Sequence, residues 1–409
     1  MLQTVVHSIL IALLLAGTTA CSDKESNPIV RNLESPAGQQ AAEPYLFTDP
    51  AGAVYLSWIE NRSGQQSLQL SRWEGEQWSA PVAVATGTEW FVNWADYPLV
   101  VTDGRGKFMA HVLEYSAPGT YTYDVKLTVS ADGRNWSTPA VLHDDGKKAE
   151  HGFVSMAPLG ENVLVSWLDG RNSAGDVEAT APGNTLEETA GHGQEGAMTV
   201  RAALVSYQGD KLEEWALDER VCDCCQTSAV ITDNGPVVIY RDRSEGEIRD
   251  IAIVRSVNNT WTEPKVVHKD NWEINGCPVN GPRSQAIGNT LAIAWFTAAD
   301  NQPAVKVIFS DNGGKSFGKP VVVSGAEAIG RVDLVLLDTR SALVSWMEGE
   351  TIRVAKVHDD GSQEQALLIA SSSSDRSSGF PQMTLSGNTV LFAWTDDQSK
   401  TIRTAKLEL

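Results

Sequence analysis

Four of the five cysteines of this chain fall in two short stretches, Val221–Arg243 and Asn275–Arg283. Thiolates are soft ligands, so Cys222, Cys224, Cys225 and Cys277 together suit zinc or cuprous copper. Their spacing differs from the two-residue gap of an ordinary zinc knuckle. In an oxidising compartment the same four would equally serve as disulfides, and an isolated one as a reactive thiol. Read as a strand, Cys222 and Cys224 point to one side and Cys225 to the other. The same two stretches carry Tyr240, Arg241, Asp242, Arg243 and Arg283. A planar guanidinium holds a carboxylate by two parallel hydrogen bonds, so these arginines suit an anionic ligand.

The elements that must position these residues repeat along the chain. An apolar strand ending in an aromatic, or in the equivalent place, recurs at Val54–Trp58, Phe108–Val112, Val163–Trp167, Val237–Tyr240, Leu291–Trp295, Leu343–Trp346 and Val390–Trp394. The period is about fifty residues, which with four strands per unit predicts a β-propeller. A Gly-rich insertion between Asp169 and Met198 lengthens the third unit. Alternating strands follow each marker, and most units close with a fourth, such as Pro81–Ala85 or Pro320–Ser324. The last unit ends at Leu409 without one. Pro28–Leu33 has the character to supply it, closing the ring and covering an open edge. Thirteen Trp, abundant Val and Thr and no long helical pattern agree with an all-β chain.

Two turns, Ser130-Ala131-Asp132-Gly133-Arg134-Asn135-Trp136 and Ser310-Asp311-Asn312-Gly313-Gly314-Lys315-Ser316-Phe317, resemble the Asp-box of sialidases and other BNR-repeat proteins. The chain thus resembles bacterial sialidase-like propellers over most of residues 28–409, with seven blades favoured and six, as in sialidases, the alternative. The resemblance implies that such turns lie on the face opposite the ligand. It places Glu43, Trp94, Asp96, His151, Asn280, Arg331 and Asp333, with the cysteines and Arg283, near the axis on the ligand face. Loops after second strands add Glu60, Arg62, Asp169, Arg171, Glu348, Asp396 and Asp397, and the Arg241–Arg243 run. It also implies an exo-acting sialidase chemistry, with an arginine cluster on the substrate carboxylate, a Tyr activated by Glu, and an Asp as acid/base. Arg241, Asp242, Arg243, Arg283 and Tyr240 are the candidates for it. One departure is clear. Where the family carries Arg-Ile-Pro in its first blade, this chain has Glu43-Pro44-Tyr45, and a Glu there repels a carboxylate.

The first twenty residues read as an address rather than as structure. Val5–Ala16 is an apolar core, and Thr18, Thr19 and Ala20 precede Cys21. This is similar to a bacterial lipoprotein signal, although Thr18 stands where Leu is usual. It implies an acylated Cys21, a tether over 21–27 and an outer-membrane protein facing the periplasm or the exterior. No later run reaches the ~18 apolar residues of a spanning helix. A net charge of -20 opposes phosphate-driven binding, which excludes nucleic acid as the expected partner. The expectation is a lipid-anchored propeller, residues 28–409, that holds a small molecule, a glycan or a soft metal on its axial face. The alternative is a glycoside hydrolase of sialidase type. The acidic insertion Gly175–Gly196, with His192, is expected to act as a lid or a flap.

Overall fold

A computed structural model describes residues 29–173 and 196–409; the leader, Cys21, the tether and the insertion up to residue 195 lie outside the described residues. Seven antiparallel sheets follow one another around a ring. The blades begin with inner strands Ala41–Thr48, Val100–Thr102, His151–Leu159, Ser228–Thr232, Arg283–Ile287, Ala328–Leu336 and Gln382–Ser386. Four strands form each, and in blade 4 the short strand Thr260–Trp261 is added beside Lys265–His268.

Second strands are apolar at nearly every position, because blades pack face to face and cover both sides of them. Thr290–Thr297 is buried throughout, and Trp58, Trp167, Trp295 and Trp346 are among the largest fully buried side chains. In blades 1 and 3 the tryptophan has a polar counterpart two residues on. The Trp58 indole N–H donates to Glu60 Oε1 at 3.0 Å and Trp167 to Asp169 Oδ2 at 2.8 Å. Residues two apart on a strand share a face, so each acid satisfies the buried indole and is in turn held by Arg62 or Arg171, both at 2.7 Å.

The ring closes as expected from the sequence. Val30–Leu33 pairs antiparallel with Thr401–Glu408, Val30 opposite Leu407 and Leu33 opposite Thr404. One outer strand was not legible: Lys211–Val221, the edge of blade 3, reads Lys-Leu-Glu-Glu-Trp and alternates weakly because its outer side faces solvent.

Candidate functional site

The starts of inner strands and the hairpins joining second to third strands share one face. A cleft of about 540 Å³ opens there, mainly between blades 2, 3 and 4. That size suits a sugar-sized ligand. The Ser130–Trp136 turn joins a third strand to a fourth and so lies at the other end of its blade. There Ser130 Oγ accepts the Gly133 N–H at 2.9 Å and Asp132 Oδ1 accepts the N–H groups of Arg134 and Asn135, both at 2.8 Å.

A phenol held between two carboxyls lies at the cleft. Tyr123 Oη is 2.9 Å from Glu150 Oε1 and 3.2 Å from Asp96 Oδ2. The phenol has a single proton, so it donates to one carboxyl and must accept from the other. Burial pushes Glu150 up to about 8 and Asp96 up to about 7, the latter opposed by the Phe153 N–H bond to Asp96 Oδ1 at 2.8 Å. The consistent arrangement near neutral pH has Glu150 protonated and donating to Tyr123, which donates to ionised Asp96. Burial also raises the Tyr123 pKa well above its ordinary value.

The backbone makes room for this trio. A Cβ on Gly152 would stand 2.1 Å from Asp96 Oδ2 and 2.9 Å from the Tyr123 ring, so only glycine fits. Phe153 follows at φ 51°, where the pairing register of its strand shifts. Glu43 (φ 52°) and Arg331 (φ 53°) sit at similar register shifts in blades 1 and 6. A bulge with a left-handed residue at an inner-strand start is thus a repeated device for aiming side chains. Burial pushes Glu43 up to about 7.

The walls are aromatic and cationic. Phe91, Trp94, Tyr121 and Phe153 contribute rings, and Lys148, Arg243 and Arg376 contribute charge. The Arg331 and Arg376 guanidiniums lie 5.1 and 6.0 Å from the Trp94 ring centre, and Phe380 stacks on it at 5.6 Å. Arg243 is held by Asp223 at 2.9 Å and by Glu247 at 2.9 Å. Cys224 and Cys277 complete the wall beside Asp223.

Among the residues expected from sequence, Arg243, Trp94, Cys224 and Cys277 line the cleft. Arg283, Asp96 and Asp333 line a second, axial cavity of about 350 Å³, where Arg283 bonds Tyr97 Oη and, at 3.2 Å, Gln382 Oε1. Two candidates for catalysis are packing residues instead. Tyr240 is fully buried, with its hydroxyl donating to Asp218 at 2.6 Å. Arg241 is 2% exposed and spends its guanidinium on the carbonyls of Asn280, Arg249 and Phe296. Asp242 lines neither cavity; burial pushes its carboxyl up to about 6, and Oδ1 accepts the Arg243 N–H. Arg331 braces the 374–379 loop through Ser378 Oγ and the carbonyls of Ser374 and Asp375. The Cys222–Cys225 segment is a turn and not a strand, so all three of its thiols converge. Tyr123 and Glu150 were missed. Third strands start on the same hairpins that end second strands, so the same reasoning applied to Tyr121–Tyr123 would have found the phenol.

No family model and no curated protein matches the chain. Among solved structures, the polysaccharide lyase Uly1 aligns with a TM-score of 0.52 at 8% identity over 90% of each chain. A puromycin-hydrolysing peptidase of Mycobacterium tuberculosis aligns at 0.51 and 10%, over 90% of this chain and 53% of that one. The NanB sialidase of Streptococcus pneumoniae gives 0.42 and 13%, over 90% and 68%. The two likenesses above 0.5 show the fold alone, one shared with a polysaccharide lyase.

Proposed function

We propose that the cleft binds an anionic glycan and that Tyr123 moves the proton when a glycosidic bond is broken there. The observation that carries this reading is the Asp96–Tyr123–Glu150 contact, in which Tyr123 and Glu150 line the aromatic and cationic cleft and Asp96 lines the axial cavity. Rings present flat apolar faces to sugars, and Lys148 and Arg376 supply charge for a carboxylate or sulfate. Asp96 in its ionised form accepts the phenol proton and frees Tyr123 Oη to act as base or nucleophile. Glu150, holding a proton at neutral pH, supplies the acid. A Tyr with a Glu and an Asp is also the set that the sialidase resemblance requires, built here from residues other than Tyr240 and Asp242.

The test is turnover on a panel of sialylated and uronate-bearing oligosaccharides. Tyr123→Phe should lower kcat by roughly 10²–10⁴ with KM within a few-fold, since it removes one oxygen and leaves the walls intact. A Tyr123→Phe protein as active as the parent rejects the assignment. A parent that binds such glycans without turnover would make this a binding module.

We further propose that Cys21 is acylated and that the cleft works in the cell envelope, tethered to the outer membrane. The support is the order of apolar core, small residues and cysteine in residues 5–21. Fatty-acid labelling of cells should mark the protein and be lost in Cys21→Ser; label retained in that variant would reject the anchor.

A further inference from the structure

We infer that Cys222, Cys224, Cys225 and Cys277 form a zinc site that ties the turn before blade 4 to the loop before blade 5 and shapes one wall of the cleft. Cys222 Sγ lies 3.3 Å from Cys225 Sγ and 3.9 Å from Cys224 Sγ. Zinc–thiolate bonds of about 2.3 Å in a tetrahedron set sulfurs about 3.8 Å apart, so these three already stand near ligand spacing. Cys277 is the fourth sulfur of the inferred site: its thiol contacts Cys224, and both line the same wall of the cleft.

The surroundings are built to bring the two segments together. Cys222 N–H donates to Arg241 O at 3.0 Å, which pins the turn to the end of a second strand. The loop that carries Cys277 docks on the residue just after the turn: Gly281 N–H donates to Gln226 Oε1 at 2.9 Å. A Cβ on Gly281 would strike the Gln226 carbonyl at 2.2 Å.

Charge points the same way. Zinc with four thiolates carries two negative charges, and burying them needs cations. Arg249, 1% exposed, donates from Nη1 to Cys222 Sγ at 3.1 Å. Buried Arg241 has its hydrogen bonds on carbonyl oxygens, which solvate its charge without cancelling it. Arg249 also holds Glu247 at 2.8 Å, so its charge is shared between that carboxylate and the sulfur of Cys222.

The inference is independent of the glycan reading, because it is measured without sugar. The full-length chain, purified in detergent under anaerobic reducing conditions, is titrated with zinc alone and, in parallel, with cobalt(II) as a spectroscopic substitute. One equivalent of zinc and the cobalt spectrum of a tetrahedral four-thiolate centre are expected. Cys277→Ser, an exposed position that leaves the fold intact, should weaken zinc at least about tenfold and convert the cobalt spectrum to that of three thiolates. Cys222→Ser should abolish stoichiometric binding, with circular dichroism confirming that the sheet remains. Less than a half equivalent of zinc in the reduced parent, or unchanged affinity in Cys277→Ser, overturns the four-cysteine site. So does a Cys222–Cys224 or Cys222–Cys225 disulfide in protein isolated from cells with thiols blocked at lysis.

Discussion

At the scale of single residues the chemistry turns on where one proton sits. Tyr123 can bridge Glu150 and Asp96 only while at least one of the two carboxyls holds a proton, and the reactive arrangement has Asp96 ionised and Glu150 protonated. Activity should therefore be greatest near neutrality, falling on the acid side as Asp96 protonates at about 7 and on the alkaline side as Glu150 ionises at about 8. The limbs belong to the coupled pair, and a kcat/KM profile measures them. A flat profile from pH 5 to 10 on a confirmed substrate would remove the pair from the mechanism. The same shift has a cost in stability. Because the Glu150 pKa is raised on folding, its contribution is fully present below the unfolded value of about 4.5 and is lost as pH rises through about 8. Glu150→Gln cannot ionise, so at pH 9 it should be more stable than the parent by about 1–3 kcal/mol in urea, with no such gain at pH 4.

Elements decide whether those side chains can meet. The bulge at Gly152 and Phe153 brings the inner strand of blade 3 onto Asp96, and Gly152→Ala would drive a methyl into the carboxylate. Overpacking of this kind costs about 1–3 kcal/mol, and here it also splits the trio, so we expect a lower urea midpoint together with lost activity. Gly276→Ala, with open space at its Cβ, should change neither. A Gly152→Ala protein as stable and active as the parent would show that the close approach is dispensable. Blade order was readable from the sequence because the marker strands keep a period set by interblade packing; the acid two residues on serves Trp58 and Trp167, whereas Trp295 donates to Asp270 at 2.6 Å. The cleft was readable only in part. Arg243, Trp94, Cys224 and Cys277 follow from knowing which strand ends share a face. Nothing local, however, says that Arg241 turns inward to three carbonyls while Arg243, two residues on, turns to the cleft. Tyr240 misleads for the same reason as the marker tryptophans inform: it occupies their place in the strand and, like them, packs between blades with a carboxylate on its polar atom. The cysteine turn is a third case, since alternation of faces fails where the chain leaves the sheet at Cys222.

The whole molecule is a closed ring, and its closure rests on the joining of its two ends. Blade 7 runs Val30–Leu33, Thr401–Glu408, Thr389–Asp396, Gln382–Ser386, so its outermost strand comes from the start of the chain and the other three from the end. Val30 packs against the cluster of Leu407, Val390 and Phe392, whereas Leu33 packs against the one holding Leu56, Trp58 and Leu391. The four-residue strand therefore ties the last blade to the first as well as covering its edge. Deleting Val30–Leu33 removes two partly buried aliphatic side chains and a short ladder. At about 1 kcal/mol for each hydrogen bond and somewhat more for each side chain, the loss should be roughly 3–6 kcal/mol. It also leaves Thr401–Glu408 with free backbone groups along one side, an invitation to pair with a second copy. The deletion variant should unfold at lower urea and associate with rising concentration, whereas the parent elutes unchanged. A deletion variant with the parent's urea midpoint and no association would mean that the three remaining strands hold blade 7 by themselves, and that the ring is kept shut by blade packing rather than by its seam.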